Sequence, residues 1–395
     1  MRFFLLFIWF FCIFIGMLFP SGYFAAMLAV ATFFLLGTLV LERSNVHMMF
    51  FLGYCTFIFL PALVNWVFLE INFSLFFLTS VVVGVFLYAT RRVVVKEFLD
   101  YGSFVRLLFL ILCFSMIVLF FIGVEVRSFF PFLILILSLS FRQGSTFLNS
   151  TLFACFLTVF LTYVFFKWNG FGRVVIMGWL ILAALQFSYS INFKVNKYIF
   201  GLTPAFGASL LSARDLLQLK FSGLEAALYD SAYGPYRRAS SFIDRFDHQG
   251  YDVLGFLDQI MFTLFVFVPR EIWPDKPYGF GFEYTLRHLG ASKIDSGHTI
   301  ASTLIGDHIY YLGYLGFFTS LLVFLVIALL VNVLYKIKGI NGNGVVIFSA
   351  SMMVLAWGGM TSFSARVALA AIVFFLFLIL FRPFLVRKTN IVWGG

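Results

Sequence analysis

Long apolar runs, broken by short polar turns, set the pattern of the chain. Seven of them, each about twenty residues and so of the length that crosses ~30 Å of hydrocarbon as a helix, lie at 3–19, 23–41, 46–69, 71–89, 104–122, 146–166 and 173–190. A shorter run occupies 128–141, and after a polar middle the pattern returns at 309–335, 343–360 and 364–382. Membrane strands would instead read as segments of ~10 residues with alternating polarity. The prediction is an all-α, polytopic membrane protein of about 11–12 transmembrane helices, by the span lengths above.

The polar turns are short: Pro20-Ser21-Gly22, Glu42-Arg43-Ser44-Asn45 and Glu70-Ile71-Asn72. Three parts are expected. Residues 1–190 hold about eight spans by run length. Residues 191–299 form a large, mainly periplasmic loop region. Residues 300–395 hold about three more spans and a cytoplasmic tail.

Arg91, Arg92, Lys96 and Arg106 mark one cytoplasmic connection, and Lys336, Lys338, Arg382, Arg387 and Lys388 mark the others, following the positive-inside rule. Met1-Arg2 followed by Phe3–Phe19 imitates a signal peptide, but a second apolar run follows at once, so a retained first span is expected. Counting spans from two cytoplasmic ends requires one further crossing between 191 and 268. Tyr198–Ala213 is favoured for it, which leaves Val253–Val268 as a re-entrant or interfacial helix.

Composition bounds the chemistry. The 395 residues are 62% hydrophobic and 11% charged, with a net charge of +10. Residues 191–299 carry eleven Lys/Arg and eleven Asp/Glu, so the surplus lies in the membrane part, much of it in short connections. That distribution argues against a nucleic-acid partner. Cys12, Cys55, Cys113 and Cys155 all fall in apolar runs without CxxC spacing, the pattern of buried free thiols. Four of the five histidines lie between 248 and 308, but none has HExxH spacing or a neighbouring cysteine. Neither P-loop nor GxGxxG is present. No metal and no cofactor are expected.

One segment breaks the apolar pattern most sharply: Val268-Pro269-Arg270-Glu271-Ile272-Trp273-Pro274-Asp275-Lys276-Pro277. Its prolines forbid a regular transmembrane helix. Irregular backbone beside a bilayer belongs in water, inside protein or along a polar cavity. Around it gather Arg237, Arg238, Arg245 and Arg287, then Asp295-Ser296-Gly297-His298-Thr299, with Asp307 and His308 opening the next apolar run. Arg366 lies within the last apolar run, where an ionisable group is costly and usually paired or functional. Cations beside a base, without metal or nucleotide, suit attack on a lipid-pyrophosphate-linked sugar. Arginine forks hold the diphosphate leaving group, and a His or carboxylate accepts the proton of the attacking hydroxyl.

The Val268–Pro277 run with Gly281 resembles the signature of the bacterial oligosaccharide repeat-unit polymerases (O-antigen polymerase, Wzy type). Ser296-Gly297-His298-Thr299, Leu304-Ile305-Gly306-Asp307 and Tyr311-Leu312-Gly313-Tyr314-Leu315-Gly316 resemble the same family's return to the membrane, and also the His-containing stretch of the related O-antigen ligases. The likeness covers about 237–316; the position after Gly306 is Asp307, where many relatives carry Glu.

The resemblance implies metal-independent, inverting glycosyl transfer at the periplasmic face of the bacterial inner membrane. The glycan would pass from undecaprenyl pyrophosphate to the non-reducing end of a lipid-linked repeat unit. It also implies that Arg270 and Arg245 hold diphosphate, with Lys276 assisting. Arg238, Arg287 and Trp273 belong to the same substrate-binding set. His298 is the candidate base, and Asp307 orients it or binds sugar. Arg366 joins the diphosphate ligands by its depth in the sequence pattern. Expected partners are the lipid-linked oligosaccharide, the bilayer and a chain-length regulator protein. A ligase using the same donor, and a flippase or exporter moving the same lipid, are the alternatives. The charges sit in a loop and not along midplane helices, which favours chemistry over transport.

Overall fold

A computed structural model describes residues 2–40, 45–69, 71–90, 102–142, 144–168, 173–191, 234–249, 251–290, 300–334 and 346–386. The described residues contain helices and no strand. The N-terminal part comprises α1 (Arg2–Leu18), α2 (Gly22–Val40), α3 (Asn45–Tyr54), a π-helical turn (Cys55–Phe59), α4 (Leu60–Leu69) and α5 (Ser74–Ala89). It continues through α6 (Ser103–Phe121), a 3₁₀ turn (Arg127–Phe129), α7 (Phe130–Ser140), α8 (Thr146–Phe166) and α9 (Arg173–Ser190). The polar middle gives α10 (Gly234–Gln249), α11 (Val253–Leu264) and α12 (Phe280–Leu289). Then follow α13 (Gly306–Leu312), α14 (Tyr314–Leu334) and α15 (Val346–Val386).

Among the described residues six helical stretches are long and apolar enough to cross a membrane, and there are shorter apolar helices besides. The chain is an all-α, polytopic membrane protein. The favoured extra crossing, Tyr198–Ala213, lies outside the described residues, as do His298 and the side chain of Arg245.

Three breaks depart from the simple run pattern, and each has a local cause. Pro61 has no N–H to give the preceding turn, and the helix widens into the π turn Cys55–Phe59 just before it. The run at 309–335 is divided at Gly313, whose φ of 53° ends α13 and releases α14 at a new angle. The third break decides the architecture. Gly359 has φ 71°, inside what otherwise reads as one helix of 41 residues. The rings of Phe348 and Phe374 are 5.8 Å apart, whereas a straight helix would separate them by roughly 39 Å. So α15 folds back on itself at Gly359. Its two limbs realise the predicted spans 343–360 and 364–382, with the turn slightly earlier than the sequence pattern placed it.

The first limb of α15 lies against α3. A Cβ on Gly53 would come within 2.8 Å of the Ala356 methyl, so glycine is what lets these two helices approach so closely. Polar groups buried between helices find partners: Tyr54 and Ser80 share a 2.7 Å hydrogen bond, and His47 Nε2 lies 2.6 Å from Thr90 Oγ1. Without water, such pairs are the available way to satisfy these groups.

Candidate functional site

α10, α11, α12 and α13 assemble over the turn of α15. α10 buries Tyr236, Ala239 and Phe242 against the bundle while Arg237 faces outward and Arg238 is half-buried. Phe242, Phe280, Tyr284 and Tyr310 form one aromatic cluster, with ring centroids 5.1–6.2 Å apart, that joins α10, α12 and α13.

α11 begins with Asp252 as N-cap, Oδ1 accepting from the Gly255 N–H at 2.8 Å. Its twelve residues span roughly 18 Å, too short to cross ~30 Å of hydrocarbon. Leu254, Leu257, Met261 and Leu264 form an exposed apolar stripe at helical spacing, while Gly255 and Gln259 are buried. One side of this helix packs against protein, and the other is exposed and apolar.

From α11 the chain passes through the proline-rich loop and returns as α12, forming a hairpin whose cations are answered from within. Lys276 is 7% exposed and its Nζ donates to the carbonyls of Val266 at 2.8 Å and Val268 at 2.9 Å. Burial, and then the neighbouring Arg270 guanidinium, push its pKa below the usual lysine range. Arg270 donates from one terminal nitrogen to Pro277 O at 3.0 Å and from the other to Pro274 O at 3.4 Å. Its plane lies 3.8 Å over the Tyr278 ring, which stacks on Phe282 at 4.2 Å. A guanidinium has five N–H donors, so these two bonds leave most of its donor capacity available. Trp273 packs edge-on to Phe265 in the same loop.

At the other end of the hairpin, Glu283 is the hub. It accepts from Gln259 Nε2 and from the Tyr311 hydroxyl, both at 2.7 Å, and pairs with Arg287 at 2.5 Å. Arg287 also reaches Asp252 at 3.3 Å. Burial, followed by the bond to Glu283, raises the Tyr311 phenol above the ordinary tyrosine value. Arg287, predicted to bind substrate, is engaged by two carboxylates. His288, on the exposed side of α12, has Nε2 2.9 Å from the Tyr310 hydroxyl.

Below the hairpin a non-helical segment, Ala301–Ile305, lies buried in the bundle. Such backbone must find partners inside the protein, and it finds them at the break in α15. Thr303 N donates to Trp357 O at 3.0 Å and Ser302 Oγ to Gly358 O at 3.4 Å, meeting carbonyls at the end of the first limb. Asp307 meets the start of the second limb: Oδ2 accepts from Met360 N at 3.0 Å and the Thr361 N–H also reaches the carboxylate, while Oδ1 accepts from His308 N at 3.0 Å. These are the orphan groups that every helix end leaves, and a carboxylate suits the positive end of a helix dipole.

Asp307 lies outside the six spanning stretches and is 3% exposed. Burial pushes its pKa up to about 7 against the pull of those backbone donors. Thr303 takes φ 65°, uncommon for a β-branched residue, and its buried hydroxyl has no hydrogen-bond partner among the described residues. His308 is also buried, which lowers its pKa to about 4; Nδ1 lies 2.9 Å from Thr319 Oγ1.

The predicted residues therefore separate. Arg270, Lys276 and Trp273 share the hairpin loop, and Arg287 sits at its far end. Asp307 is turned into the α15 break. Arg366 is half-buried on the second limb of α15. Ile300, the first described residue after the Ser296–Thr299 stretch, donates its N–H to Gly281 O at 3.2 Å, so the chain returns beside α12. Sequence reasoning missed Glu283, Gln259 and Asp252. Asp252 carried a signal in Asp-Val-Leu-Gly, a capping residue before an apolar run. Gln259 and Glu283 carried none. Among the described residues no group of three or more His, Cys, Asp and Glu side chains is placed to hold a metal ion. The chain matches no protein-family model, no curated protein and no solved structure.

Proposed function

We propose that this protein is a membrane glycosyltransferase that polymerises lipid-linked oligosaccharide repeat units, of O-antigen or a similar surface polysaccharide. It would act at the periplasmic face of the bacterial inner membrane. The reading rests on the Val268–Pro277 resemblance and on one observation. The hairpin that presents Arg270 runs along a helix with an exposed apolar stripe, and the chain leaving Ser296–Thr299 returns against that same hairpin through Ile300 and Gly281. A diphosphate at the membrane edge and a histidine-bearing stretch would thus share one place.

In this mechanism a hydroxyl at the non-reducing end of the lipid-linked acceptor attacks the anomeric carbon of the donor glycan. The new C–O bond forms as the bond to the diphosphate breaks, with inversion. His298 takes the hydroxyl proton, and undecaprenyl pyrophosphate leaves with the electron pair. Arg270 meets the diphosphate through the N–H donors that the loop leaves free, helped by Arg245 and Arg238 from α10. Lys276 and the stacked Tyr278 fix the loop that carries Arg270, and Asp307 holds the floor beneath it as a positioning residue. Trp273 offers an apolar face for a sugar ring.

Deleting the gene in its host tests the class. Lipid A-core carrying a single repeat unit is the expected product. Complete loss of capped core would point to the ligase or flippase alternatives and would defeat the proposal.

A further inference from the structure

One residue ties the two ends of the hairpin together. Gln259 on α11 is 5% exposed, and its amide faces α12 through two hydrogen bonds. Nε2 donates to the Tyr278 carbonyl at 3.0 Å and to Glu283 Oε2 at 2.7 Å. A side-chain amide has two N–H donors, so both are spent, one on each acceptor. Oε1 is buried without a hydrogen-bond partner among the described residues. The side chain is therefore held by what it donates, and a residue with a single donor hydrogen could not serve both acceptors in full.

Each acceptor leads elsewhere. Glu283 belongs to the hub with Tyr311 and Arg287 and, through Arg287, with Asp252. Tyr278 is the platform under Arg270: the guanidinium lies 3.8 Å from its ring centroid, and that ring stacks on Phe282 at 4.2 Å and 12°. The backbone beside the platform has little room to move. A Cβ on Gly279 would come within 3.0 Å of the Phe262 ring and 3.4 Å of Thr361 Cβ. Gly279 O then accepts from the Phe282 and Glu283 N–H groups where α12 begins. Gln259 and Phe262 are three residues apart on α11, so one face of that helix grips the segment that carries Tyr278.

We propose that Gln259 is a positioning residue for Arg270, acting through the Tyr278 carbonyl. It holds the aromatic platform at the height where the guanidinium, edged by Pro274 O and Pro277 O, keeps its remaining N–H donors ready for a diphosphate. A fork fixed in advance loses less freedom when it binds an anion. The choice of ligand rests on the polymerase reading; the positioning itself does not.

The test uses the full-length protein in nanodiscs and two readouts. The first is the rate at which phenylglyoxal labels Arg270, followed by peptide mass spectrometry, and it needs no ligand. The second is retention of undecaprenyl pyrophosphate, followed by native mass spectrometry. Gln259→Met keeps the length of the side chain and loses both donors. It should label Arg270 severalfold faster while leaving Arg106, whose Nε donates to Ser140 O, unchanged. It should also weaken retention about tenfold (about 1.4 kcal/mol). Tyr278→Phe should keep both readouts near the unaltered values, since the ring remains. In a Tyr278→Leu background Gln259→Met should add nothing further, whereas a merely structural role would add its loss in both backgrounds. If Gln259→Met is not monodisperse, Gln259→Asn carries the test, its amide being a methylene short of spanning both acceptors. Unchanged Arg270 labelling, an equal rise at Arg106, or a further loss in the Tyr278→Leu background would overturn the proposal. Arg270 labelling as expected, with no retention of undecaprenyl pyrophosphate by the unaltered protein, would defeat the polymerase reading and leave the positioning of Arg270 standing.

Discussion

The two ends of the hairpin formed by α11 and α12 both concentrate cations, yet they hold them in different ways. On the hairpin, Lys276 and Arg270 donate to backbone carbonyls and Arg287 is bracketed by Glu283 and Asp252. The lesson is that a cation-rich loop need not be a set of free anion ligands. Several of its charges build the loop, and the remainder can act because the others hold the frame.

Stability measurements can break that comparison. The largest effect should come from the floor beneath the hairpin. Asp307→Ala strips the acceptor from buried N–H groups at the break in α15 and should cost about 3 kcal/mol or more, read as thermal aggregation of the detergent-solubilised protein. The same carboxylate gives a pH signature. With its folded pKa raised to about 7, the protonated form is favoured by folding. The stabilising contribution is then complete below the unfolded value near 3.9 and disappears as pH rises through about 7. The melting midpoint should fall from about pH 4 to about pH 7 and level off above that, and Asp307→Asn should flatten the slope; an unchanged slope would remove Asp307 as its source.

Next in size, Lys276→Met should cost about 2 kcal/mol, because the Val266 and Val268 carbonyls lose their donor. An unaltered melting midpoint would return Lys276 to the role of a free substrate ligand. Glu283→Gln keeps the shape of the hub but removes its charge from the partly exposed Arg287, and about 1 kcal/mol or less is expected.

Much of the fold was legible because the run lengths in a membrane chain leave helices as the main option. The ends of α8 and α9 coincide with the predicted runs 146–166 and 173–190. The breaks were harder. The fold-back of α15 at Gly359 depends on partners from 302–307, and no periodicity shows that a distant segment will supply them. Gly313 was visible as a residue but not as a division, since glycine is also common inside transmembrane helices.

At the site, the prolines of 269–277 rightly predicted irregular backbone. They could not say that Lys276 would spend its donors on Val266 and Val268. Asp307 stood out as a charge at the edge of an apolar run, and depth alone does not distinguish a catalytic acid from a helix cap.

The polymerase reading stands or falls on Arg270 and His298. The most direct measurement is polymer formation by purified protein in nanodiscs, supplied with its host's repeat unit on undecaprenyl pyrophosphate and resolved by gel. The unaltered protein should give a ladder of lengthening glycan. Arg270→Ala and His298→Ala, each confirmed as membrane-inserted and monodisperse, should leave single repeat units. Normal ladders from both variants would contradict the account.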